Sequence, residues 1–314
     1  MISSASDSGE SATSFSGAQV YPRDPRNDDV QVYVNGAFFH RSRAVVSVFD
    51  SGFAMGDGVW EGVRLVDGRL VALDDHIDRL FEGLCAIDLD LGKDRREVEA
   101  AIRATVDANG MRDGVHIRLM VTRGLKRTPS QDPRFAVGTP TMVIVAEYKA
   151  LIPTATRTGL KLLTSTFRCS TPDVFDLRLN SHSRLNLIQA LIQALNAGCD
   201  EALMLDQRGF VASCNSTNFF IVRGKELWTS TGACNFNGIT RRKVMALYAE
   251  EIGVVREKDF TLAEVYSADE AFVTGTLGGI TPVASVDGRK IGDGGVGPVT
   301  CAIGESYLSR ITTI

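Results

Sequence analysis

The pattern of apolar and polar positions divides the chain into a polar start and a long region where strand-like and helix-like periods alternate. Residues 1–28 are rich in Ser, Gly, Asp and Asn, with few large apolar side chains to offset the entropy of ordering them, and are expected to form a mobile arm. From Gln31 the period shortens. Val32-Tyr33-Val34, Asn35-Gly36 and Ala37-Phe38-Phe39 predict a hairpin, because Asn-Gly supplies the positive φ angles of a type I′ turn. Strands are predicted at Val115 to Thr122, Thr141 to Ala146, Leu160 to Thr164, Glu201 to Leu205, Phe219 to Val222 and Glu270 to Val273. A helix is predicted from Asp74 or Asp75, either able to cap it, through His76, Arg79, Leu80 and Leu84. Ile188, Leu191, Ile192 and Leu195 follow a helical period and predict one buried face, ended by Gly198. Another helix follows Thr240, with Val244, Leu247 and Tyr248 on one face and Gly253 as its stop. Residues 149–158, with Pro153 and little periodicity, are read as a linker between a small N-terminal α/β domain at 29–148 and a larger C-terminal α/β domain at 159–314.

Composition narrows the partners. A chain of 314 residues, 44% hydrophobic, is long enough for two cores. Its net charge of −4, with both signs intermixed, offers no basic stripe for nucleic acid or an anionic membrane, so a small molecule is the expected partner. Cys85, Cys169, Cys199, Cys214, Cys234 and Cys301 show no CxxC spacing, which speaks against a metal site or a disulfide framework and fits a reducing cytoplasm. No apolar run reaches the roughly 20 residues of a membrane span, and the start lacks the apolar core of a signal peptide.

Five motifs carry the chemistry: Phe49-Asp50-Ser51-Gly52-Phe53, the run from Gly56 through Trp60 to Arg64, His76-Ile77-Asp78-Arg79-Leu80, Gly238-Ile239-Thr240-Arg241, and Thr274-Gly275-Thr276 followed by Ile280-Thr281-Pro282-Val283. In this order they resemble the fold type IV pyridoxal 5′-phosphate (PLP) enzymes, the class IV aminotransferases that include branched-chain and D-amino-acid aminotransferases. The resemblance spans roughly Val32 to Ile291. It implies a two-domain α/β architecture with the site in the interdomain cleft, and a homodimer in which the N-terminal domain closes the neighbouring site. It also implies a cofactor phosphate held by Arg79, Gly238, Ile239, Thr240 and Thr276, where a helix start and a guanidinium suit a dianion. Taken singly, Thr240 is more readily a plain N-cap and Arg79 a surface arginine; their joint occurrence reverses the balance in favour of the phosphate site. Phe53, Trp60, Arg64 and Arg118 match the family's substrate-side segments and are candidates for contacting an amino acid, keto acid or amine.

Two positions depart from the family pattern. Counting back from Gly198 and Glu201 places Asn180 where the family has its Schiff-base lysine, and aligning Asn218-Phe219-Phe220 places Ser213 where a glutamate pairs with the pyridine nitrogen. Asparagine has no basic nitrogen to bond the cofactor or shuttle a proton, and serine lacks the charge that keeps the ring protonated. His182, Arg184 and Cys214 are the nearby newcomers: an imidazole that titrates near neutrality, a guanidinium that stays protonated, and a thiol. Each has a plainer reading, as a loop residue, a salt-bridge partner and an inert buried thiol. Three functions follow: an atypical or weak aminotransferase-like protein that binds PLP, or a related phosphorylated ligand, noncovalently; a repurposed enzyme that keeps the anion cup and uses His182, Arg184 or Cys214 without PLP; or a non-catalytic binding or regulatory protein. No metal is expected.

Overall fold

The computed structural model describes residues 17–313. The first half is built on β1 (Gln31–Val34), β2 (Ala37–His40), α1 (Ser51–Met55), β3 (Gly58–Val66), β4 (Arg69–Leu70), α2 (Leu73–Ala86), α3 (Arg95–Ala108), β5 (Val115–Thr122) and β6 (Thr141–Tyr148). Its strands form one antiparallel sheet in the order β2-β1-β6-β5-β3-β4. The hairpin turns as its sequence demands, with Asn35 at φ 47° and Gly36 at φ 96°. Alternate residues of β5, among them Val115, Ile117, Leu119 and Val121, point into a core shared with α2 and α3. A capping box closes the start of α3, with Asp94 and Glu97 each accepting from the other's backbone N–H.

The second half holds β7 (Leu160–Thr164), α4 (Leu185–Asn196), β8 (Glu201–Leu205), β9 (Val211–Cys214), β10 (Asn218–Arg223), β11 (Glu226–Thr229), α5 (Ile239–Glu251), β12 (Val254–Glu257), α6 (Leu262–Tyr266), β13 (Glu270–Gly275), β14 (Gly279–Val286), β15 (Arg289–Lys290) and α7 (Pro298–Arg310). Its sheet runs β12-β11-β10-β13-β14-β7-β8-β9, with β15 on β14. Both faces are covered. Along β10, Phe219 and Ile221 enter one core while Phe220 and Val222 enter another with Val244, Leu247 and Tyr248 of α5. This is why the strand reads as a continuous apolar run rather than an alternation.

Three expectations need correction. The first concerns residues 17–28 of the expected arm, which are anchored at two points: Ala18 is buried, and the Asn27 side chain exchanges hydrogen bonds with the Tyr148 backbone, while residues 20–23 between them are exposed. The rest of the arm, residues 1–16, lies outside the described residues. The second concerns α2, which begins at Leu73 after Ala72 in the left-handed region with no side-chain cap; Asp74 and Asp75 lie inside the first turn, and Asp75 pairs with Arg242 and Lys243. The third concerns α4, whose expected buried face is reversed. Ala190 and Ala194 are buried, Leu191 is half-buried, and Ile188, Ile192 and Leu195 are exposed. Small alanines let the helix approach β8 closely, leaving the larger side chains outside.

Candidate functional site

A cavity of about 300 Å³ opens between the halves. The Asn180 segment joins them: the Trp60 N–H donates to the Asn180 carbonyl at 2.9 Å, Val59 bridges Ser181, and the His182 N–H donates to the Gly58 carbonyl. The edge of the first sheet thereby runs directly into the wall contributed by the second half.

At one end lies the start of α5. Its N-cap, Gly238, offers no side chain, so the first helical N–H groups have no side-chain cap. A Cβ there would stand 2.4 Å from Asn218 Oδ1, so a larger residue would have to displace that side chain. Ile239, Thr240 and Thr276 line the same cavity. So does Thr274, whose buried hydroxyl has no hydrogen-bond partner among the described residues.

Arg79, on α2, borders this end, and its partner is Glu61. Arg79 Nε and Nη2 donate to the two Glu61 oxygens at 2.7 and 2.8 Å, and Nη1 reaches the Asn237 carbonyl at 3.2 Å. The His76 imidazole lies 2.7 Å from Glu61 Oε2. Burial alone would raise the Glu61 pKa, but the charge and hydrogen bonds of Arg79, with those of His76, outweigh it and bring it down to about 2. Glu61 was assigned no role from the sequence, although an acidic residue in the apolar strand between Trp60 and Arg64 signals a buried charge that needs a partner.

Arg118 and Arg184 meet over Trp60. Their guanidinium carbons lie 3.7 and 5.3 Å from its ring centroid, and Arg184 also lies 5.8 Å from that of Phe236. Arg184 Nε donates to the Ser181 carbonyl, Nη2 donates to Asn180 Oδ1, and Asn180 Nδ2 donates to the Trp60 carbonyl. Asn180 thus acts as a clamp on Arg184. Burial, reinforced by Arg118 and Arg79, brings the Arg184 pKa down to about 10, and Arg118 is lowered by burial too; both remain cationic at neutral pH. Neither has a carboxylate ion-pair partner among the described residues, so the cleft keeps a positive excess. His116, also in the wall, does not add to it: burial and the surrounding arginines push its pKa well below the usual range.

The remaining expected residues divide. Ser213 and Cys214 line the cavity, where Ser213 Oγ donates to the Thr217 carbonyl at 2.8 Å. Burial, with Glu201 nearby, raises the Cys214 thiol well above its usual pKa, so it stays protonated and unreactive. His182 does not line the cavity. Its ring packs on Gly58, its Nε2 is buried without a partner among the described residues, and burial lowers its pKa. Arg64 also turns away, donating to the carbonyls of Lys149, Thr276 and Leu277, which makes it a brace for the Thr276 loop rather than a substrate contact. Phe53 is 71% exposed on α1, away from the cavity wall. No lysine lines the cavity among the described residues.

A family model described as amino-transferase class IV matches residues 58–286. Branched-chain-amino-acid aminotransferase-like protein 2 of Arabidopsis thaliana is 38% identical over 283 residues, covering 90% of this chain and 50% of that protein. A second Arabidopsis relative, branched-chain-amino-acid aminotransferase-like protein 1, matches to the same degree over 51% of its length, so the chain spans about half the length of these two relatives. The putative branched-chain-amino-acid aminotransferase of Methanocaldococcus jannaschii is 38% identical, with 88% of this chain and 95% of that protein covered. Among solved structures, the branched-chain aminotransferase of the archaeon Thermoproteus uzoniensis with norvaline superposes with a TM-score of 0.80 at 29% identity, over 90% of this chain and 95% of that one.

Proposed function

Because the chain belongs to the class IV aminotransferases, we propose that it binds PLP, or a related phosphorylated ligand, noncovalently in the cleft and that it is weak or atypical in transamination. The residues fit the cofactor at its phosphate end. The uncapped α5 start, the Thr240 and Thr276 side chains, the orphaned Thr274 hydroxyl and the nearby Arg79 form a donor set suited to a dianion. They do not fit a covalently held cofactor, since no lysine lines the cavity among the described residues. The absence of a cleft lysine beside these phosphate-suited donors is the observation that carries the proposal.

When bound, PLP supplies an electron-withdrawing ring and an aldehyde that condenses with amines. The chain's own part is to bind and orient. Arg118 and Arg184 offer two cationic donors for the carboxylate of an amino or keto acid, over the Trp60 face. What the Asn180 position lacks is a group to move the proton: its amide is neither acid nor base, and Ser213 places no charge against a ring nitrogen. The repurposed reading loses His182 by position and Cys214 by its raised pKa. A purely binding role predicts the same ligand and differs only in turnover.

The working unit is proposed to be a homodimer in the cytoplasm. The exposed Leu185, Ile188, Ile192 and Leu195 of α4 form an apolar stripe that a second copy would cover, and Phe53 would reach a ligand only across such a boundary. A nucleic acid or membrane partner has no support, and no described helix is long and apolar enough to cross a bilayer.

Titration with PLP, followed by absorbance and calorimetry, tests the binding. Reversible binding that dialysis removes is expected, and Thr276→Val should weaken it about fivefold, the worth of roughly one hydrogen bond. Absence of heat and spectral change would overturn the proposal.

A further inference from the structure

Glu201 is a buried carboxyl with no cation to match it, and no step at the cleft uses it. Its two oxygens are nevertheless occupied. Oε1 accepts from the Ala18 backbone N–H at 2.9 Å and Oε2 from the Thr217 hydroxyl at 3.0 Å. Ala18 is 3% exposed and belongs to the core beneath the second sheet. Its carbonyl lies where a Cβ on Gly278 would come within 2.4 Å, so the chain passes closely over the loop after Thr276. A turn closes here, with the Val20 N–H donating to the Gly17 carbonyl.

The same segment is fastened to the first half as well. The Lys149 ammonium lies 4.2 Å from the Tyr21 ring centroid, Arg26 stacks on Tyr148, and Asn27 pairs with the Tyr148 backbone. Between these anchors Gln19 lines the cavity, with its amide nitrogen 3.6 Å from the point where a Cβ on Gly275 would stand. No hydrogen-bond partner engages that carboxamide among the described residues.

We propose that Gly17 to Val20 form a strap, fastened by Glu201 along the wall of the cleft, and that Gln19 is a ligand-contacting residue which donates a hydrogen bond to the anionic group seated at Thr240 and Thr276. Glu201 is the positioning residue of this device. The proposal of a ligand contact rests on the phosphorylated-ligand reading above; the fastening of the strap does not. A packed turn placed at the wall of a cationic cleft, presenting an unengaged amide, has the chemistry of a recognition element. The Ala18 N–H and the Glu201 carboxyl are both buried and satisfy each other, so displacing the turn would leave two buried polar groups unpaired.

Two measurements on the full chain decide it. Hydrogen exchange without ligand should show the Ala18 amide protected in the wild type and in Glu201→Gln, which keeps an acceptor oxygen, and unprotected in Glu201→Ala. Free-chain exchange rates at this segment in the wild type overturn the strap. PLP titration should show about fivefold weaker binding and faster dissociation for Gln19→Ala, and a larger loss for Gln19→Glu, whose charge opposes the phosphate. If PLP binds the wild type and both Gln19 variants alike, the ligand contact is overturned while the phosphorylated-ligand reading stands. If PLP fails to bind the wild type, that reading falls and the Gln19 contact with it, and exchange at Ala18 alone decides the strap.

Discussion

The Asn180 carboxamide and the Arg184 guanidinium are one hydrogen-bonded unit: Oδ1 accepts from Nη2 while Nδ2 donates to the Trp60 carbonyl. An asparagine at this position therefore does more than leave an amine out. It fixes a cation four residues on, at the entrance to α4, and holds it over the Trp60 ring.

The first prediction follows from the missing amine. Borohydride reduction with PLP present, then peptide mapping, should find no modified lysine in the cleft, because none lines it among the described residues. Lys243, three residues beyond Thr240, is paired with Asp75 of α2, does not line the cavity and should also be unmodified. A reduced adduct on a cleft lysine would refute noncovalent binding.

Restoring the amine should restore attachment. Asn180→Lys is expected to give a visible absorbance band and a borohydride-fixable bond with PLP, with poor turnover. The new amine would stand near Glu61, whose Oε1 is 3.4 Å from Asn180 Nδ2, and near Arg184, which it would release. Adding Ser213→Glu should raise the half-reaction rate with amino donors beyond the sum of the single changes, since both groups act on one transition state. A double variant that attaches PLP but converts no donor would show a cleft reshaped for another ligand.

Much of this was legible in the sequence, and the misses share a cause. The Asn35-Gly36 hairpin, β5, β7 and the apolar face of α5 are set by local chemistry and period, so they appeared where expected. The face of α4 was misjudged because helical period marks an apolar stripe without saying what covers it. Ile239, Thr240 and Thr276, marked by their motifs, do line one cavity. Arg64, Phe53 and His182 were assigned to the cleft from neighbouring motifs, but whether a side chain faces a cavity depends on packing from distant segments. Arg64 illustrates this: its carbonyl partners lie at Lys149, Thr276 and Leu277, far along the chain.

Removing that brace should be costly. Arg64→Met would remove the charged donor from three part-buried carbonyls, those of Lys149, Thr276 and Leu277, at about 1 kcal/mol or more for each. Denaturant unfolding should show a loss of several times the usual surface substitution, and PLP affinity should fall because Thr276 is no longer held. Stability within about 0.5 kcal/mol of the wild type would mean that the carbonyls find other donors.

Glu201 should tie stability to pH. Burial, aided by the charge of Asp200 and opposed by the Ala18 and Thr217 hydrogen bonds, pushes its pKa from 4.5 up to about 7. Between those values the folded chain holds a proton that the unfolded chain has released. The contribution is thus full below pH 4.5 and is lost as pH rises through about 7, with a maximal slope of about 1.4 kcal/mol per pH unit. Glu201→Gln should remove that slope, leaving the variant progressively more favoured relative to wild type from about pH 5 to about pH 8 on a urea-denaturation series. Parallel stability curves for the two proteins would contradict the shifted carboxyl.

Trp60 and Trp228 are the chain's two tryptophans, and they stand in different worlds. Trp228 lies on β11, edge-on to Phe260 and beneath the Lys258 ammonium, remote from the cleft. Trp60 lies under Arg118 and Arg184. An anion that draws either guanidinium off the indole changes the electric field at that ring alone. The unlabelled protein therefore carries a built-in optical reporter: its ultraviolet emission divides into a steady background from one indole and a signal from the other that follows occupancy of the cleft.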